Sequence, residues 1–169
     1  TVVDLGCGIG FGSNLLVRSG AKMVLAVDAS KEAIREAKAR HSYQNLEFVV
    51  MDCSRLAILR NCIDVAVCFE VIEHLQDPKK FLAETKNVLR PSGLFILSTP
   101  NSLVYDECYK YQGERNPFHR HEFAPSELEE MLRETFRFVG LWGQRDSYME
   151  GSLALAPSQL VHRPLTDPN

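Results

Sequence analysis

Apolar runs rich in β-branched residues alternate along the chain with stretches whose apolar residues recur at helical spacing. The apolar runs predict strands near residues 1–5, 23–28, 46–52, 63–69, 94–99 and 137–143. The periodic stretches predict helices near residues 12–20, 30–41, 77–93 and 125–136. Such alternation is typical of parallel strands joined by crossover helices, and nearly continuous apolar strands are covered on both faces. The pattern therefore predicts an α/β fold with a doubly wound, mostly parallel sheet and helices on both of its faces.

The remaining segments bear on domain organisation. Residues 101–124 have no clear period and predict a long loop, which in a compact domain is usually functional. A length of 169 residues suits one domain, so we expect a single domain over residues 1–169. Thr1 enters directly on a buried strand, and the end of the chain is rich in proline without a convincing strand. We therefore expect the domain to lack an N-terminal cover and a C-terminal strand.

Composition and charge indicate which kinds of binding partner and cellular location to expect. The chain is 45% hydrophobic and 24% charged, as in globular proteins. Its net charge of −3 argues against a nucleic-acid partner, although a local basic patch is compatible with that total. Its five cysteines form no C-x-x-C pair, which disfavours a zinc or disulfide framework and favours a reducing cytoplasm. No apolar run is as long as a membrane span, so we expect a cytoplasmic protein, with its oligomeric state left open.

The first predicted strand runs into a glycine-rich loop, DLGCGIGFG, at residues 4–12. A strand–loop–helix turn of this kind lets the backbone approach a ligand closely. The dinucleotide pattern G-x-G-x-x-G fails here, because its sixth position falls on Phe11 or Ser13, and the G-K-[ST] of phosphate loops is missing as well. The pattern that does fit is an acidic strand end followed by alternate glycines: Asp4, Gly6, Gly8 and Gly10.

Two further predicted strands also end in aspartate, Asp28 after the second and Asp52 after the third. A carboxylate at the end of the second strand can accept hydrogen bonds from both hydroxyls of a ribose. Each aspartate could instead cap the next helix. Three acidic strand ends in order behind a glycine loop favour a cofactor site over three separate caps.

This arrangement resembles the class I S-adenosylmethionine-dependent methyltransferases, a Rossmann-like family whose first motif has the same form. The resemblance implies that the protein is a methyltransferase with S-adenosylmethionine as its cofactor. It places Asp4 and the glycines along the methionine part, Asp28 on the ribose and Asp52 at the adenine amino group. The cofactor-binding residues that it implies are Asp4, Gly6, Cys7, Gly8, Gly10, Asp28, Ala29, Asp52, Cys53, Phe69 and Glu70.

The fourth predicted strand ends in CFEVIEHL, at residues 68–75, which the family places at the reaction site. If a helical turn follows, Glu70, Glu73 and His74 share one face, which suits either proton transfer or a metal. The later segment NPFHRHEF, at residues 116–123, supplies further histidines.

These two segments together resemble two subgroups, the small-RNA terminal 2′-O-methyltransferases and the quinone-biosynthesis O-methyltransferases, in which such residues hold a divalent metal. The resemblance implies the metal ligands Glu70, Glu73, His74 and His121. This set suits Mn²⁺, Fe²⁺, Co²⁺ or Zn²⁺ better than Mg²⁺. In the metal-free alternative, His74, His121 and Glu73 are catalytic acid–base groups. Both interpretations stay open.

The expected function is methylation of a hydroxyl group on a small molecule, a lipid or a sugar. One alternative is metal-assisted methylation of the terminal 2′-hydroxyl of a small RNA, to which the negative net charge is an objection. The other is a non-catalytic scaffold that binds the cofactor, which the complete set of acidic and glycine positions disfavours.

Overall fold

A computed structural model of the chain describes residues 1–103 and 116–143. Contacts divide the chain into two units, Thr1–Ala124 and Pro125–Asn169. The main elements described in the first unit are β1 (Val2–Leu5), α1 (Phe11–Arg18), β2 (Val24–Asp28), α2 (Lys31–Arg40), β3 (Leu46–Val50), β4 (Ile63–Phe69), a 3₁₀ turn (Ile72–His74), α3 (Pro78–Val88) and β5 (Leu89–Ser98). The second unit contains α4 (Pro125–Thr135).

The five strands of the first unit form one parallel sheet in the order β3-β2-β1-β4-β5. Asp4 of β1 lies beside Ala26 of β2 on one side and Val67 of β4 on the other. Because crossovers between parallel strands are right-handed, and the strand order reverses at β1, α1 and α2 lie on one face and α3 on the other. The predicted doubly wound α/β fold is confirmed.

Local signals at the helix starts explain where two of the helices begin. Ser30 caps α2, and its side chain accepts a hydrogen bond from the backbone N–H of Ala33 at 3.1 Å. Asp77 caps α3 in the same way by accepting from the N–H of Lys80 at 2.9 Å, and Pro78 occupies the first turn, where a missing N–H costs nothing. The capping residues therefore determine where both helices begin.

The core lies on both faces of the sheet. On one face, Ile34 and Ala37 of α2 belong to a cluster of buried apolar residues with Ala26 of β2 and Phe48 of β3. Against β5, the fully buried Phe81 of α3 meets Phe95 edge-on, with ring centroids 6.1 Å apart. Packing on both faces holds the carboxyl ends of the strands in one row.

Two predicted elements differ from the structure. The helix predicted over residues 77–93 ends at Val88, because Pro91 disfavours helical backbone at the residue before it and has no N–H to donate. The strand predicted at residues 137–143 does not form. Glycines interrupt that run, and Phe138 and Trp142 are largely exposed, so it has neither the continuity nor the burial of a strand.

Parts of the remaining predictions lie outside the described residues. This holds for residues 104–115 of the predicted long loop and for the chain after residue 143. The two described ends of the loop come together, because Asn101 and Phe123 form an isolated parallel bridge. Across residues 1–103 and 116–143, no helix is both long enough and apolar enough to cross a membrane.

Candidate active site

The loop after β1 is built from glycines in left-handed backbone conformations. Gly6 has a φ of 76°, and a Cβ added there would lie 2.4 Å from Cγ2 of Val71. The loop therefore packs directly against the segment that follows β4. Gly8 has a φ of 52°, but an added Cβ would meet nothing within 4 Å. Gly6 thus lets the loop pack closely on Val71, whereas the backbone of Gly8 is open on the side where a side chain would lie.

Asp28, at the end of β2, organises this loop. One of its carboxylate oxygens accepts a hydrogen bond from the N–H of Gly8, and the other accepts one from the N–H of Ser30, each at 2.8 Å. Each oxygen has two lone pairs, so the carboxylate keeps acceptor capacity for ligand hydroxyls. The residue predicted to bind the ribose therefore also lies against the open face of Gly8.

Asp4, at the end of β1, is only 4% exposed. The hydroxyl of the fully buried Ser13 donates to its carboxylate at 2.6 Å. Burial raises the pKa of Asp4, and the bond from Ser13 offsets part of that rise. From the sequence, Ser13 was only a departure from the dinucleotide pattern, and this role was not predicted. Ser13 lies in the first turn of α1, close to the end of β1, and this position in the sequence could have indicated the contact with Asp4.

Asp52, after β3, is exposed and accepts a hydrogen bond from the N–H of Ser54 at 2.7 Å, which lowers its pKa. It is therefore an ionised acceptor at the surface of the site. The neighbouring Cys53 is buried, and burial raises the pKa of its thiol to about 12. Cys7, in the glycine loop, is shifted in the same way to about 12. Both thiols are therefore neutral and are not nucleophiles.

The structure tests the alternative that the three aspartates cap helices. The residue that caps α1 is Gly10, and the residue that caps α2 is Ser30. No helix separates β3 from β4. None of Asp4, Asp28 and Asp52 therefore caps a helix, and all three lie at the carboxyl ends of strands, where ligands bind in open parallel sheets.

Glu70, directly after β4, has a left-handed backbone with a φ of 55°, which is uncommon for a residue with a side chain. Two bonds to Ser98 of β5 hold it there. Its N–H donates to the carbonyl of Ser98 at 3.1 Å, and its carboxylate accepts from the hydroxyl of Ser98. The neighbouring Phe69 is half exposed and offers an apolar surface at the strand end. Strained backbone of this kind is common at functional sites.

Glu73, in the 3₁₀ turn, is fully buried. Its Oε2 accepts a hydrogen bond from the hydroxyl of Thr99 at 3.0 Å, while its Oε1 has no partner among the described residues. Burial raises the pKa of this carboxyl. Its backbone carbonyl accepts from the N–H groups of Arg120 and His121 at 2.8 and 3.2 Å. The segment at 116–123 is thereby fastened against the turn.

Two histidines meet beside Glu73. Nδ1 of His74 lies 2.9 Å from the carbonyl oxygen of Phe118, and Nδ1 of His119 lies 3.3 Å from a carboxylate oxygen of Glu122. The two imidazoles contact each other edge to face, with centroids 4.8 Å apart. One potential ligand atom from each of Glu73, His74 and His119 lies within 4.8 Å of the other two.

The set of metal ligands implied by the resemblance is therefore not assembled as predicted. Glu73 and His74 come together, but no such group in the described part of the chain includes Glu70 or His121. Glu70 is held by Ser98 because the turn begins only at Ile72, and so it does not share a helical face with Glu73. His121 packs against the ring of Phe123, with centroids 4.6 Å apart. His119, which was not among the predicted ligands, lies where His121 was expected. The signal in the sequence is the spacing of three residues between His119 and Glu122, whose side chains interact.

Comparison with known proteins bears on the family of this chain. Residues 3–97 match the family model described as a methyltransferase domain. A Mycobacterium tuberculosis protein named as a probable S-adenosylmethionine-dependent methyltransferase is 36% identical over 131 residues, which are 78% of this chain and 46% of that protein. The ubiquinone biosynthesis O-methyltransferase of Parvibaculum lavamentivorans is 39% identical over 113 residues, 66% of this chain and 44% of the relative. The chain thus spans less than half the length of these two relatives.

Solved structures show the same fold. An S-adenosylmethionine-dependent methyltransferase of Methanosarcina mazei superposes with a TM-score of 0.64 at 25% identity, over 79% of this chain and 77% of that one. One from Mesorhizobium loti superposes with a TM-score of 0.67 at 18% identity, over 79% and 72% of the two chains, a likeness of fold alone. With a family model matched over more than half of its length, and a glycine loop and acidic strand ends in the arrangement described above, the chain belongs to the methyltransferase domain family of S-adenosylmethionine-dependent methyltransferases.

Proposed function

We propose that the protein transfers a methyl group from S-adenosylmethionine to a hydroxyl group of a small molecule, a lipid or a sugar. The observation that carries the proposal is the contact between two strand ends. The open backbone face of Gly8 and the carboxylate of Asp28 lie in a loop that packs, through Gly6, on Val71. Val71 directly precedes the turn that holds Glu73 and His74. The site therefore has a cofactor side, formed by Gly8 and Asp28, next to an acceptor side, formed by Glu73 and His74.

The residues on the cofactor side suit S-adenosylmethionine. The space over Gly8 admits a ligand against the backbone, and no phosphate-binding lysine is present in the loop. Asp28 offers acceptors for ribose hydroxyls, and the ionised Asp52 offers one for an amino group. The proposed contacts are those that the resemblance implied: Asp4, Gly6, Cys7, Gly8, Gly10, Asp28, Ala29, Asp52, Cys53, Phe69 and Glu70. When bound, the cofactor supplies an activated methyl group on a sulfonium that leaves as a neutral thioether.

The acceptor side must take a proton from the hydroxyl group. The acceptor oxygen attacks the methyl carbon, the carbon–sulfur bond breaks with its electron pair staying on sulfur, and the hydroxyl proton passes to a base. A carbonyl oxygen only accepts hydrogen bonds, so Nδ1 of His74 carries a proton and its Nε2 has the lone pair in the neutral ring. Glu73 is proposed to hold the acceptor hydroxyl, and the lack of a partner for its buried Oε1 among the described residues supports this role.

A hydroxyl acceptor is supported by the chemistry of the site and by the names of relatives. Imidazole and carboxyl groups assist oxygen acceptors, whose protons must be removed during transfer. The relatives from Parvibaculum lavamentivorans and Neisseria meningitidis are named as ubiquinone biosynthesis O-methyltransferases. The negative net charge weighs against RNA as the acceptor.

A divalent ion on the acceptor side is the second candidate. One carboxylate and two imidazoles, from Glu73, His74 and His119, form a donor set typical of open catalytic metal sites, and Oε1 of Glu73 lacks a partner among the described residues. An ion there would lower the pKa of the acceptor hydroxyl. Titration of the wild-type protein with Mn²⁺ or Co²⁺ in a calorimeter, with Glu73→Gln as the control, tests this directly. Saturable binding that the variant loses would support a metal site, and heat indistinguishable from dilution would reject it.

Product analysis tests the proposed function itself. The protein is incubated with methyl-deuterated S-adenosylmethionine and panels of catechols, phenols, sugars and hydroxylated lipids, and mass spectrometry follows the labelled ether and S-adenosylhomocysteine. We expect one class of hydroxyl acceptor to be labelled, and His74→Asn to lower the rate without lowering cofactor affinity. Labelling of only thiol or carbon acceptors would contradict the proposal. So would a rate for His74→Asn equal to that of the wild type.

A further inference from the structure

The connection between β3 and β4, residues 51–62, contains no helix or strand, although it carries Asp52, the proposed acceptor for the adenine amino group. Two local bonds shape its first turn. The N–H of Ser54 donates to the carboxylate of Asp52 at 2.7 Å, and the N–H of Arg55 donates to the carbonyl of Asp52 at 3.0 Å. These bonds lie within the turn, so the position of Asp52 in the site depends on what attaches the connection to neighbouring elements.

Hydrogen bonds attach this connection to α3. Near its end, two N–H groups donate to carbonyls in the last helical turn, which have no partner within the helix: Asn61 to Asn87 at 3.1 Å and Cys62 to Val88 at 3.0 Å. Nearer to Asp52, the N–H of Leu56 donates to a carboxylate oxygen of Glu84 at 3.1 Å. Leu56 is 8% exposed and Glu84 is half-buried, so this bond is partly shielded from water. A side chain of α3 thus holds the part of the connection that follows Asp52.

A second residue of α3 lies beside the same turn. Lys80 precedes Glu84 by four residues, and residues at this spacing share one face of a helix. The pKa of Asp52 is lowered mainly by its bonds with Ser54, and the charge of Lys80 adds to this effect. One face of α3 therefore runs along the connection from Asp52 to Leu56.

We propose that Glu84 is a positioning residue that determines how strongly the protein selects adenine in its cofactor. The proposal rests on the proposed function, because it takes Asp52 as the contact of the adenine amino group. The bond from the Leu56 N–H fixes the connection in the free protein, so Asp52 is in place before the cofactor binds. Without this bond, the Leu56 N–H loses its partner, and the connection has to be ordered on binding, which lowers affinity for the adenine part.

The test compares Glu84→Met with Glu84→Gln in the full protein. Both new residues are good helix formers of similar length, but only glutamine keeps a strong acceptor, the amide oxygen, for the Leu56 N–H. Calorimetry measures the affinity of each variant for S-adenosylhomocysteine and for S-inosylhomocysteine, in which a carbonyl oxygen replaces the adenine amino group. The ratio of the two affinities is the preference for adenine. Because both ligands are measured on one preparation, unfolded protein lowers the number of sites and not this ratio.

The wild type and Glu84→Gln should prefer the adenosyl ligand by about 10- to 150-fold, as expected of a hydrogen bond to a charged group. In Glu84→Met this preference should fall by at least about fivefold, while affinity for the inosyl ligand changes by less than about twofold. Glu47→Ala removes an exposed carboxylate of β3 and should keep the wild-type ratio. A wild-type ratio in Glu84→Met, or an equal loss in Glu84→Gln, would overturn the proposal.

Hydrogen exchange tests the attachment without a ligand and without reliance on the folding of Glu84→Met. The Leu56 amide should exchange slowly in the free wild type and in Glu84→Gln, and faster in Glu84→Met. Exchange of this amide in the wild type at the rate of an unstructured peptide would overturn the proposal, and so would a wild type that binds both ligands equally. If the folded wild type binds neither ligand, the proposed function itself fails, whereas an adenine preference that Glu84→Met retains refutes only the role of Glu84.

Discussion

Gly8→Ala adds one methyl group to the open face of the glycine loop and so probes the space assigned to the cofactor. The added Cβ would meet no protein atom within 4 Å. The only cost to folding is then the left-handed backbone at a φ of 52°, about 1–2 kcal/mol for a residue with a side chain. If the cofactor lies over this backbone, the same methyl overlaps it, and overpacking of that kind costs about 1–3 kcal/mol. We therefore expect affinity to fall by about 5- to 150-fold.

Gly6→Ala is the matched control, because it makes the same change two residues earlier in the same loop. Its φ of 76° adds a similar backbone cost, but its Cβ would lie 2.4 Å from the stiff side chain of Val71. Backbone strain and overpacking together should lower the free energy of unfolding by about 2–5 kcal/mol. Val71→Ala in the Gly6→Ala background should restore part of that loss.

Urea unfolding measures the stability of both variants, and calorimetry with S-adenosylhomocysteine measures their affinity. We expect Gly8→Ala to lose mainly affinity and Gly6→Ala to lose mainly stability. Wild-type affinity in Gly8→Ala would refute the placement of the cofactor over this loop. An equal loss of stability in the two variants would refute the distinction between ligand space and packing contact.

Three further predictions follow from the site. Asp28→Ala removes the acceptor of the Gly8 N–H and the proposed ribose contacts, and should weaken cofactor binding by about 1.5–3 kcal/mol in calorimetry, whereas Glu47→Ala at an exposed position should not. Because burial raises the pKa of Glu73, this group stabilises the native state below the ordinary glutamate pKa and loses that contribution as pH rises through the raised value. Glu73→Gln should therefore flatten the decline of unfolding free energy as pH rises above the ordinary glutamate pKa, and an unchanged decline would assign it to other groups. Nicotinamide dinucleotides should not bind, since Phe11 and Ser13 stand where a glycine is needed, and a micromolar Kd for NAD would contradict this.

The sequence was informative where local chemistry determines the structure. Apolar runs located the five strands of the described sheet, because a strand covered on both faces must be apolar throughout. The glycine spacing and the acidic strand ends located the loop after β1 and the groups around it. Ser30 and Asp77 act as caps within one turn of where their helices begin.

Tertiary contacts determined the rest. His119 and His121 lie two residues apart, and contacts with the turn after β4, among them the bonds from the N–H groups of residues 120 and 121 to the carbonyl of Glu73, bring the ring of His119 against His74. Glu70 was grouped with Glu73 on a helical face, whereas its bonds to Ser98 of the next strand hold it in a left-handed conformation. The run at 137–143 has strand propensity but lacks burial, which propensity alone does not supply.

Calorimetric titration of the protein with S-adenosylmethionine, repeated with Asp28→Ala, tests the central claim most directly. The account predicts saturable binding at a single site, with comparable binding of S-adenosylhomocysteine and a marked loss of affinity in the variant. An absence of binding to the folded wild-type protein at millimolar cofactor, or equal affinities for wild type and Asp28→Ala, would contradict it.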